Sequence, residues 1–399
     1  MQNNQSLLVA LTKSVCSVSL SLLGGLSNLY VILSICPPYI TCHHCLVLSC
    51  MHGSMNHFSP HKGVTFEGYY SKFRLPSGSS IALIISAVPA VAKNVEPAQV
   101  IKNMAFMISF TYVRPDSTHH WQREYWPSRF DITQDRGFVI KWDQGEFGWD
   151  AEKEKIWWEL DTDEITFKSS TKEGSRKPWI KGDKGSTPAG LLANLPLPIQ
   201  WHVHTLDSTC DYTLRLPDEA KVLQGDNQGQ AQVHVEKNWA LSFPESYIWI
   251  QGRDHEIGRG ICIAGGSLIR GVQAYLVGYD DGKAQTTFTP PTSTSIFGIS
   301  LGLTSEVSYP KRAIQLDLRG WFKRLRVTAN APEGTFFTLS APLNTGHSPD
   351  YATQSFAATI KVESWTRSWP WMEWSSGGDE VFERGSLEFG GGFYKSHSD

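Results

Sequence analysis

The sequence predicts an all-β protein that contains two β-barrel or β-sandwich domains and little helix. At 399 residues the chain exceeds the usual size of one hydrophobic core, which favours two domains. Aromatic residues make up 12% of it, and its 34 glycines and 21 prolines suit many short strands joined by tight turns. Apolar residues after position 60 alternate with a period of two or form short runs, as strands do. Only residues 96–102 have a pattern that predicts a short helix.

Two halves of similar design are indicated, an N-terminal β domain over residues 55–228 and a C-terminal β domain over residues 229–399. A polar break at residues 225–229 predicts the link between them. The motifs Phe66-Glu67-Gly-Tyr69-Tyr70 and Val235-Glu236-Lys-Asn-Trp239 echo each other, and an apolar strand follows each of them. The two motifs are separated by about half the length of residues 55–399, as expected for a duplicated barrel or sandwich.

Two further segments have a predictable local structure. Asp281-Gly282 lies between two runs of strand composition, and this pattern predicts a hairpin. Residues 171–198 are rich in Lys, Gly, Ser and Pro, which predicts an exposed loop inside the first half.

The first 54 residues allow three interpretations. Residues 14–36 contain no charged side chain and are long enough to span a bilayer, which predicts a membrane anchor. Lys13 before the apolar run also fits a signal peptide. The third interpretation is that the protein begins at Met55. We expect a membrane-associated or secreted protein if residues 1–54 are retained, and a cytoplasmic one if the chain starts at Met55.

Composition excludes several classes of function. The formal net charge is −3 and the basic residues are scattered, so no nucleic-acid partner is expected. Five of the seven cysteines lie in the first fifty residues, which leaves Cys210 and Cys262 for the body and excludes a disulfide scaffold. Cys42-His-His-Cys45 has no second pair at structural-zinc spacing, so no metal site is expected there.

The clearest motif is His234-Val-Glu236-Lys237-Asn238-Trp239, which is followed by Phe243-Pro244 and Trp249-Ile-Gln251. It resembles the EKNWG, FP and WVQ signature of the tocopherol cyclase family. Phe66-Glu67-Gly-Tyr69-Tyr70 resembles that family's FEGWY, and Ile263-Ala-Gly-Gly266 resembles its TAGGG, in the same order along the chain.

The resemblance covers about residues 60–395, with a departure at Ala240, where the family has glycine. It implies two lipocalin-like domains and an intramolecular cyclase that needs no cofactor and no metal. The implied substrate is an apolar polyene, a prenylated quinol or a polyketide-type intermediate. Two alternatives remain: a pericyclase that folds a reactive polyene, and a non-catalytic lipid-binding or pigment-binding protein.

Acid-catalysed ring closure requires a proton donor in an apolar cavity that excludes water. We expect this cavity near the domain junction, formed partly by the strands of Glu67 and Glu236. Glu236 is the first candidate for the acid, since desolvation would raise its pKa; the alternative is a structural pair with Lys237 or an arginine. Glu67 and Tyr69 share one strand face, and Tyr69 is a candidate to polarise a substrate hydroxyl. The alternative for Glu67 is a carboxylate satisfied by backbone N–H groups.

Aromatic and polar residues of the matched segments are candidates for contact with the substrate. They are Trp239, Asn238, Trp249, Gln251, Trp365 and Phe389. His202 and His204 lie on one strand face and are further candidates, as a proton relay, as a metal pair or as structural histidines with satisfied hydrogen bonds.

Overall fold

The computed structural model describes residues 24–25, 28–29, 57–93, 95–194, 197 and 199–395. The chain divides into two units, Met1–Ser54 and Met55–Asp399. In the first unit the strands β1 (Gly24–Gly25) and β2 (Asn28–Leu29) pair antiparallel. The anchor and signal-peptide interpretations otherwise fall outside the described residues. No helix in the described part of the chain is long and apolar enough to cross a membrane.

The second unit contains two large antiparallel sheets, and the first of them has eleven strands. Its order is β6-β5-β4-β3-β13-β12-β11-β10-β9-β8-β7, so the only neighbours distant in sequence are β3 and β13. The strands are β3 (Phe66–Arg74), β4 (Ser80–Ala87), β5 (Phe106–Val113), β6 (His120–Tyr125), β7 (Asp131–Thr133), β8 (Gly137–Trp142), β9 (Gly145–Asp150), β10 (Lys155–Asp161), β11 (Thr166–Thr171), β12 (Ile199–Arg215) and β13 (Gln228–Ala240).

The second sheet has twelve strands. The main order is β19-β18-β16-β15-β14-β25-β24-β22-β21-β20, with β17 paired to β16 and β23 paired to β24. The strands are β14 (Ser246–Arg253), β15 (Gly260–Ile269), β16 (Val272–Asp280), β17 (Gln285–Phe288), β18 (Thr294–Ile296), β19 (Ile299–Ser300), β20 (Leu303–Ser308), β21 (Ala313–Arg319), β22 (Lys323–Asn330), β23 (Phe337–Leu343), β24 (Gly346–Thr366) and β25 (Ser375–Gly391).

These sheets confirm the predicted all-β fold with two lipocalin-like domains, one a half barrel and the other a nearly closed barrel. The described helices are short: α1 (Pro89–Ala92), α2 (Pro97–Lys102), α3 (Gly392–Lys395) and two 3₁₀ turns, Gly190–Asn194 and Asp218–Ala220. The helix predicted at residues 96–102 is confirmed by α2, which starts at a proline whose missing N–H costs nothing there. The predicted hairpin is also confirmed, because β16 pairs with β17 across Gly282, whose φ is +86°.

Each sheet encloses its own hydrophobic core. Along exposed strands such as β21, buried and exposed residues alternate, as expected when one face packs inward and the other meets water. The first core is rich in aromatic rings, including Phe73, Phe147 and Trp158. The second is mainly aliphatic, with Ile263 and Leu316 among its fully buried members.

A layer between the sheets joins the two domains. Strands β3, β13 and β12 of the first sheet face β14, β15 and β25 of the second. Trp201 from the first sheet shares a buried cluster with Trp249 and Cys262 from the second. The Tyr70 and Trp249 rings meet edge to face with centroids 5.1 Å apart. Both faces of β3 and β13 are therefore covered by protein.

The structure differs from the sequence-based expectation at two connections. Strand β13 lies between β3 and β12, so the first sheet continues to Ala240 and residues 241–245 link the sheets, not residues 225–229. The loop predicted at residues 171–198 is not exposed throughout, because Trp179 is buried and packs edge to face on Trp201. Its ring also fills the space that a side chain would take at Gly278.

Candidate functional site

An apolar cavity of about 190 Å³ lies in the layer between the two sheets. It is somewhat larger than the roughly 150 Å³ cavity that holds a benzene molecule. Strands β3, β4, β12 and β13 contribute to its lining from the first sheet, and β14, β15, β16 and β25 from the second. The apolar and aromatic lining residues include Tyr70, Ile84, Met107, Trp201, Trp249 and Leu276.

Strand alternation decides which side chains of β3 and β13 enter this layer. Odd-numbered residues of the two strands, such as Phe73 and Val235, pack in the first core. The even-numbered residues therefore face the second sheet. They include Tyr70, Lys72, His234, Glu236 and Asn238. Because both sheets cover this layer, its buried polar groups need hydrogen-bonding partners within it.

Glu388 in β25 is a buried carboxyl group in the cavity wall. Its neighbours Leu387 and Phe389 point into the second core and are fully buried. Alternation turns the side chain of Glu388 to the opposite face of the sheet, where it is 8% exposed. The fold thus places one carboxyl group at an otherwise mainly apolar surface.

Two donors hold the Glu388 carboxyl group. The Tyr247 hydroxyl donates to Oε1 at 2.7 Å, and Nε2 of Gln354 donates to Oε2 at 2.7 Å. Oε1 of Gln354 in turn accepts from the Tyr70 hydroxyl at 3.2 Å. Burial, assisted by the nearby Glu236, raises the pKa of Glu388 to about 7, against the opposing effect of the two donors. Each oxygen keeps a second hydrogen-bonding position, so a protonated Glu388 retains both contacts.

Glu236 is the second carboxyl group of the cavity wall, and it is 6% exposed. Its Oε2 accepts from Nε1 of Trp249 at 3.0 Å and lies 3.0 Å from Nε2 of His234. Nδ1 of His234 lies 3.3 Å from the Leu206 carbonyl oxygen, which can only accept. With Nδ1 donating there, the contact between Nε2 and Glu236 needs a second proton, held by the imidazole or by the carboxyl group. The alternative that Lys237 pairs with Glu236 is not realised, because adjacent residues point to opposite faces.

Potential metal ligands also meet in this layer. The ligand atoms of His234, Glu236 and Cys262 lie within 4.8 Å of one another, and all three side chains are buried. Burial, together with the charge of Glu236, raises the pKa of the Cys262 thiol well above its usual value. Without a metal the thiol therefore keeps its proton, which it would release on binding one.

Lys72 is a buried cation in the same layer. Its Nζ donates to Oε1 of Gln251 at 3.1 Å and to Oγ of Ser386 at 2.5 Å. Burial, and then the charges of Arg74 and Arg384, lower its pKa to about 7. Both partners are neutral, so the charge is stabilised by hydrogen bonds without a matching carboxylate.

Glu67 and Tyr69 share one strand face, as predicted, but that face belongs to the first domain. Oε1 of Glu67 lies 2.6 Å from Nζ of Lys237, and it also accepts from the backbone N–H of His61 at 2.9 Å. The Tyr69 ring packs in the first core, and its hydroxyl donates to the Phe58 carbonyl oxygen at 3.1 Å. Tyr69 borders the cavity, whereas Tyr70 is the tyrosine whose side chain faces the second sheet.

The residues predicted to contact the substrate divide into those in the layer and those outside it. Asn238 and Trp249 line the cavity. Gln251 lies further along β14, where it accepts from Lys72. His202 and His204 do not line the cavity, because they occupy the other face of β12. The His204 ring stacks on Phe58 with centroids 3.7 Å apart, and burial lowers the pKa of both histidines well below the usual value.

The remaining three predicted contacts also lie outside the cavity lining. Trp239 stacks on the His61 ring on the first-domain side of β13, with centroids 4.1 Å apart. Phe389 is fully buried in the second core. Trp365 is half-buried, and the Arg324 guanidinium lies 4.8 Å from its ring centroid. Trp239 and Phe389 thus lie on the strand faces that point into the two domains, and Trp365 lies near the end of β24.

Glu388 is not among the candidate residues predicted from the sequence. A signal was present, since a single carboxylate interrupts the apolar run Leu387-Glu388-Phe389 in a strand. Its hydrogen-bonding partners, Tyr247 and Gln354, come from two other strands. Nothing in the spacing of these three residues links them before the chain is folded.

Fold and site together define a two-domain lipocalin-like β protein with an apolar interdomain cavity that contains two carboxyl groups. No protein-family model matches the chain, and no curated protein sequence matches it. Solved structures that are similar over most of the chain include the following three. CghA is 12% identical, with a TM-score of 0.48, over 82% of this chain and 88% of its own. A putative AttH from Nitrosomonas europaea is 12% identical, with a TM-score of 0.44, over 84% of this chain and 95% of its own. Kievitone hydratase from Nectria haematococca is 9% identical, with a TM-score of 0.43, over 83% of this chain and 90% of its own.

Proposed function

We propose that this chain is an enzyme of cyclase or hydratase type that acts on an apolar small molecule in the interdomain cavity. The observation that carries the proposal is Glu388, a buried carboxyl group at an apolar cavity with a pKa of about 7. A group with this pKa is protonated in a large fraction of molecules at neutral pH and still transfers its proton readily. It is therefore suited to general acid catalysis.

Glu388 donates its proton to a double bond or carbonyl oxygen of the bound substrate. An electron-deficient carbon forms, and a second double bond or a hydroxyl group of the same molecule attacks it and closes the ring. Loss of a proton from the product to the Glu388 carboxylate restores the acid. The π faces of Tyr70 and Trp249 and the Glu236 carboxyl group lie around the cavity to stabilise developing positive charge.

The apolar lining favours ring closure over hydration. Hydration would begin with the same proton transfer, but a water molecule would then attack the electron-deficient carbon. A cavity of about 190 Å³ that an apolar molecule fills leaves little space for such a water. We accordingly propose an intramolecular cyclase whose substrate is a polyene, a prenylated quinol or a polyketide-type intermediate.

The test starts from the small molecule that co-purifies with the full chain, identified by native mass spectrometry and solvent extraction. Its turnover is then compared between the unaltered protein, Glu388→Gln and Glu236→Gln. Glu383→Gln is the matched control, since Glu383 is exposed on the same strand. We expect Glu388→Gln to lower kcat by at least about a hundredfold, in line with the loss of a general acid, and the control to leave it unchanged.

The same variant separates the alternatives. A glutamine still donates a hydrogen bond but transfers no proton, so a pericyclase that only polarises a carbonyl would keep most of its rate. A carrier protein would bind the molecule without converting it in any variant. Either result would remove Glu388 as a proton donor.

A further inference from the structure

A second, polar pocket lies in the same layer between the sheets, next to the apolar cavity. Its volume is about 30 Å³, which is room for a small polar group. Five of its lining residues are lysine or arginine, and none is acidic. The five are Lys72, Arg74, Arg114, Arg253 and Arg384. This concentration of positive charge differs from the chain as a whole, whose net charge is −3.

The strands that form the apolar cavity continue into this pocket. On β3 the cavity wall at Tyr70 is followed by Lys72 and Arg74, and on β14 Trp249 is followed by Gln251 and Arg253. These pocket residues are two and four positions further along their strands, which corresponds to about 7 and 13 Å from Tyr70 and Trp249. The interdomain layer thus has an apolar end and a cationic end.

The cations of the pocket repel one another. The charges of Arg74 and Arg384 add to burial in lowering the pKa of Lys72, and Arg74 adds to burial in lowering the pKa of Arg384. Arg384 donates to the Gly78 carbonyl oxygen and has a φ of +60°, an uncommon backbone conformation for a residue with a side chain. Like charges held this close are costly unless an anion lies among them.

The carboxylates near the pocket lie beyond hydrogen-bonding distance of its guanidinium Nε atoms. Asp207 lies 3.8 Å from Nε of Arg253, but it contacts Lys177 at 2.9 Å and His255 at 3.0 Å. The Arg253 side chain is 8% exposed, and its Nε has no hydrogen-bond acceptor among the described residues. Nε of Arg114 is likewise buried without a hydrogen-bond acceptor in the described part of the chain, and the nearest carboxylate oxygen printed for it, Oδ2 of the exposed Asp116, is 4.0 Å away. Buried guanidinium N–H groups normally have acceptors, so these two are available to an incoming ligand.

We propose that this pocket binds an oxyanion, the phosphate or carboxylate group of a small metabolite. Guanidinium groups match both oxyanions in geometry, with paired N–H donors directed at two oxygens. Arg253 supplies the buried donor from the second sheet, Lys72 supplies a second buried cation, and Arg74 and Arg114 close the pocket from the first sheet. The ligand would join the two domains through charge, because its partners come from both sheets.

The experiment is isothermal titration calorimetry of the full chain with sodium phosphate and, separately, with sodium acetate, at constant ionic strength set with sodium chloride. We expect one site per chain for at least one of the two anions. The double variant Arg74→Gln with Arg114→Gln is expected to weaken that binding at least tenfold. Arg129→Gln is the matched control, since the Arg129 side chain is 70% exposed and lies outside the pocket. This variant should bind the anion as tightly as the unaltered protein does.

A second measurement needs no variant. Phosphate or acetate should slow the modification of Arg74 and Arg114 by hydroxyphenylglyoxal, mapped by peptide mass spectrometry, and should leave Arg129 unprotected. Tighter binding of phosphate would identify a phosphate-bearing ligand, and tighter binding of acetate a carboxylic acid. The proposal is overturned if neither anion binds at one site per chain. It is also overturned if the folded double variant binds as tightly as the unaltered protein. Both measurements are independent of turnover in the apolar cavity.

Discussion

Replacement of Glu388 by glutamine should change how the free energy of unfolding depends on pH. In the folded protein the pKa of Glu388 is raised from its ordinary 4.5 to about 7. Between these values the unfolded chain releases the proton while the folded protein keeps it. The folded state then binds more protons, so the stability contributed by this group falls as the pH rises from about 4.5 to 7.

The size of the effect follows from the pKa values. The full difference between 4.5 and about 7 corresponds to about 3.5 kcal/mol, at about 1.4 kcal/mol for each pKa unit. Between pH 5 and pH 8 the linkage relation gives about 2.5 kcal/mol of lost stability. Glutamine is neutral at both values and accepts the Tyr247 hydrogen bond, so Glu388→Gln should not show this loss.

The assay is guanidinium chloride unfolding at pH 5 and pH 8, followed by tryptophan fluorescence. We expect the stability difference between Glu388→Gln and the unaltered protein to shift by about 2.5 kcal/mol in favour of the variant from pH 5 to pH 8. Glu383→Gln, on the same strand but exposed, should show no such shift. A difference that stays constant with pH would refute the assignment of a raised pKa to Glu388.

Three further predictions concern the stability of the fold, each measured by the same unfolding assay. Lys237→Met should lower the free energy of unfolding by about 3 to 5 kcal/mol because it leaves the Glu67 carboxylate buried without its cation. Adding Glu67→Gln should recover part of this loss. If the effects of the two substitutions were fully additive, they would contradict the pairing. Gly266→Ala should cost up to about 3 kcal/mol because its Cβ would overlap a carbonyl oxygen of β14, whereas Gly185→Ala, with its nearest contact at 3.6 Å, should be neutral. With its pKa lowered to about 7, Lys72 loses its proton at a lower pH in the folded state than in the unfolded state. The free energy of unfolding should therefore rise by about 3 kcal/mol between pH 6 and pH 9, and Lys72→Met should abolish this rise. An unchanged rise in that variant would show that Lys72 is not its source.

Much of the fold follows from local patterns in the sequence. The period of two in the apolar residues indicates strands wherever one face meets water, as in β21. Asp281-Gly282 predicts its hairpin because a glycine is needed where φ is positive. The Ile263-Ala-Gly265-Gly266 motif marks a close approach of neighbouring strands, since a Cβ at either glycine would overlap their backbone. These features depend only on residues that are near in sequence.

The orientation of the candidate site residues does not follow from local patterns. Alternation shows that Glu67 and Tyr69 share a face, and that Glu236 and Trp239 lie on different ones. It does not show which face is the core of a domain and which is the layer between domains, because both faces of β3 and β13 are buried. For the same reason the prediction that His202 contacts the substrate is wrong for this cavity, because the side chain of His202 lies on the other side of the sheet.

Local patterns in the sequence are sufficient to predict the class of fold, the strands that approach the junction and the chemistry that a carboxyl group such as Glu236 offers there. The strongly raised pKa of Glu388, by contrast, is a property of the folded chain. That property depends on burial between two sheets and on Tyr247, Gln354 and Glu236, which come from three other strands. A pKa is set by all the charges and donors around a group in space, whereas a sequence pattern describes only its neighbours along the chain.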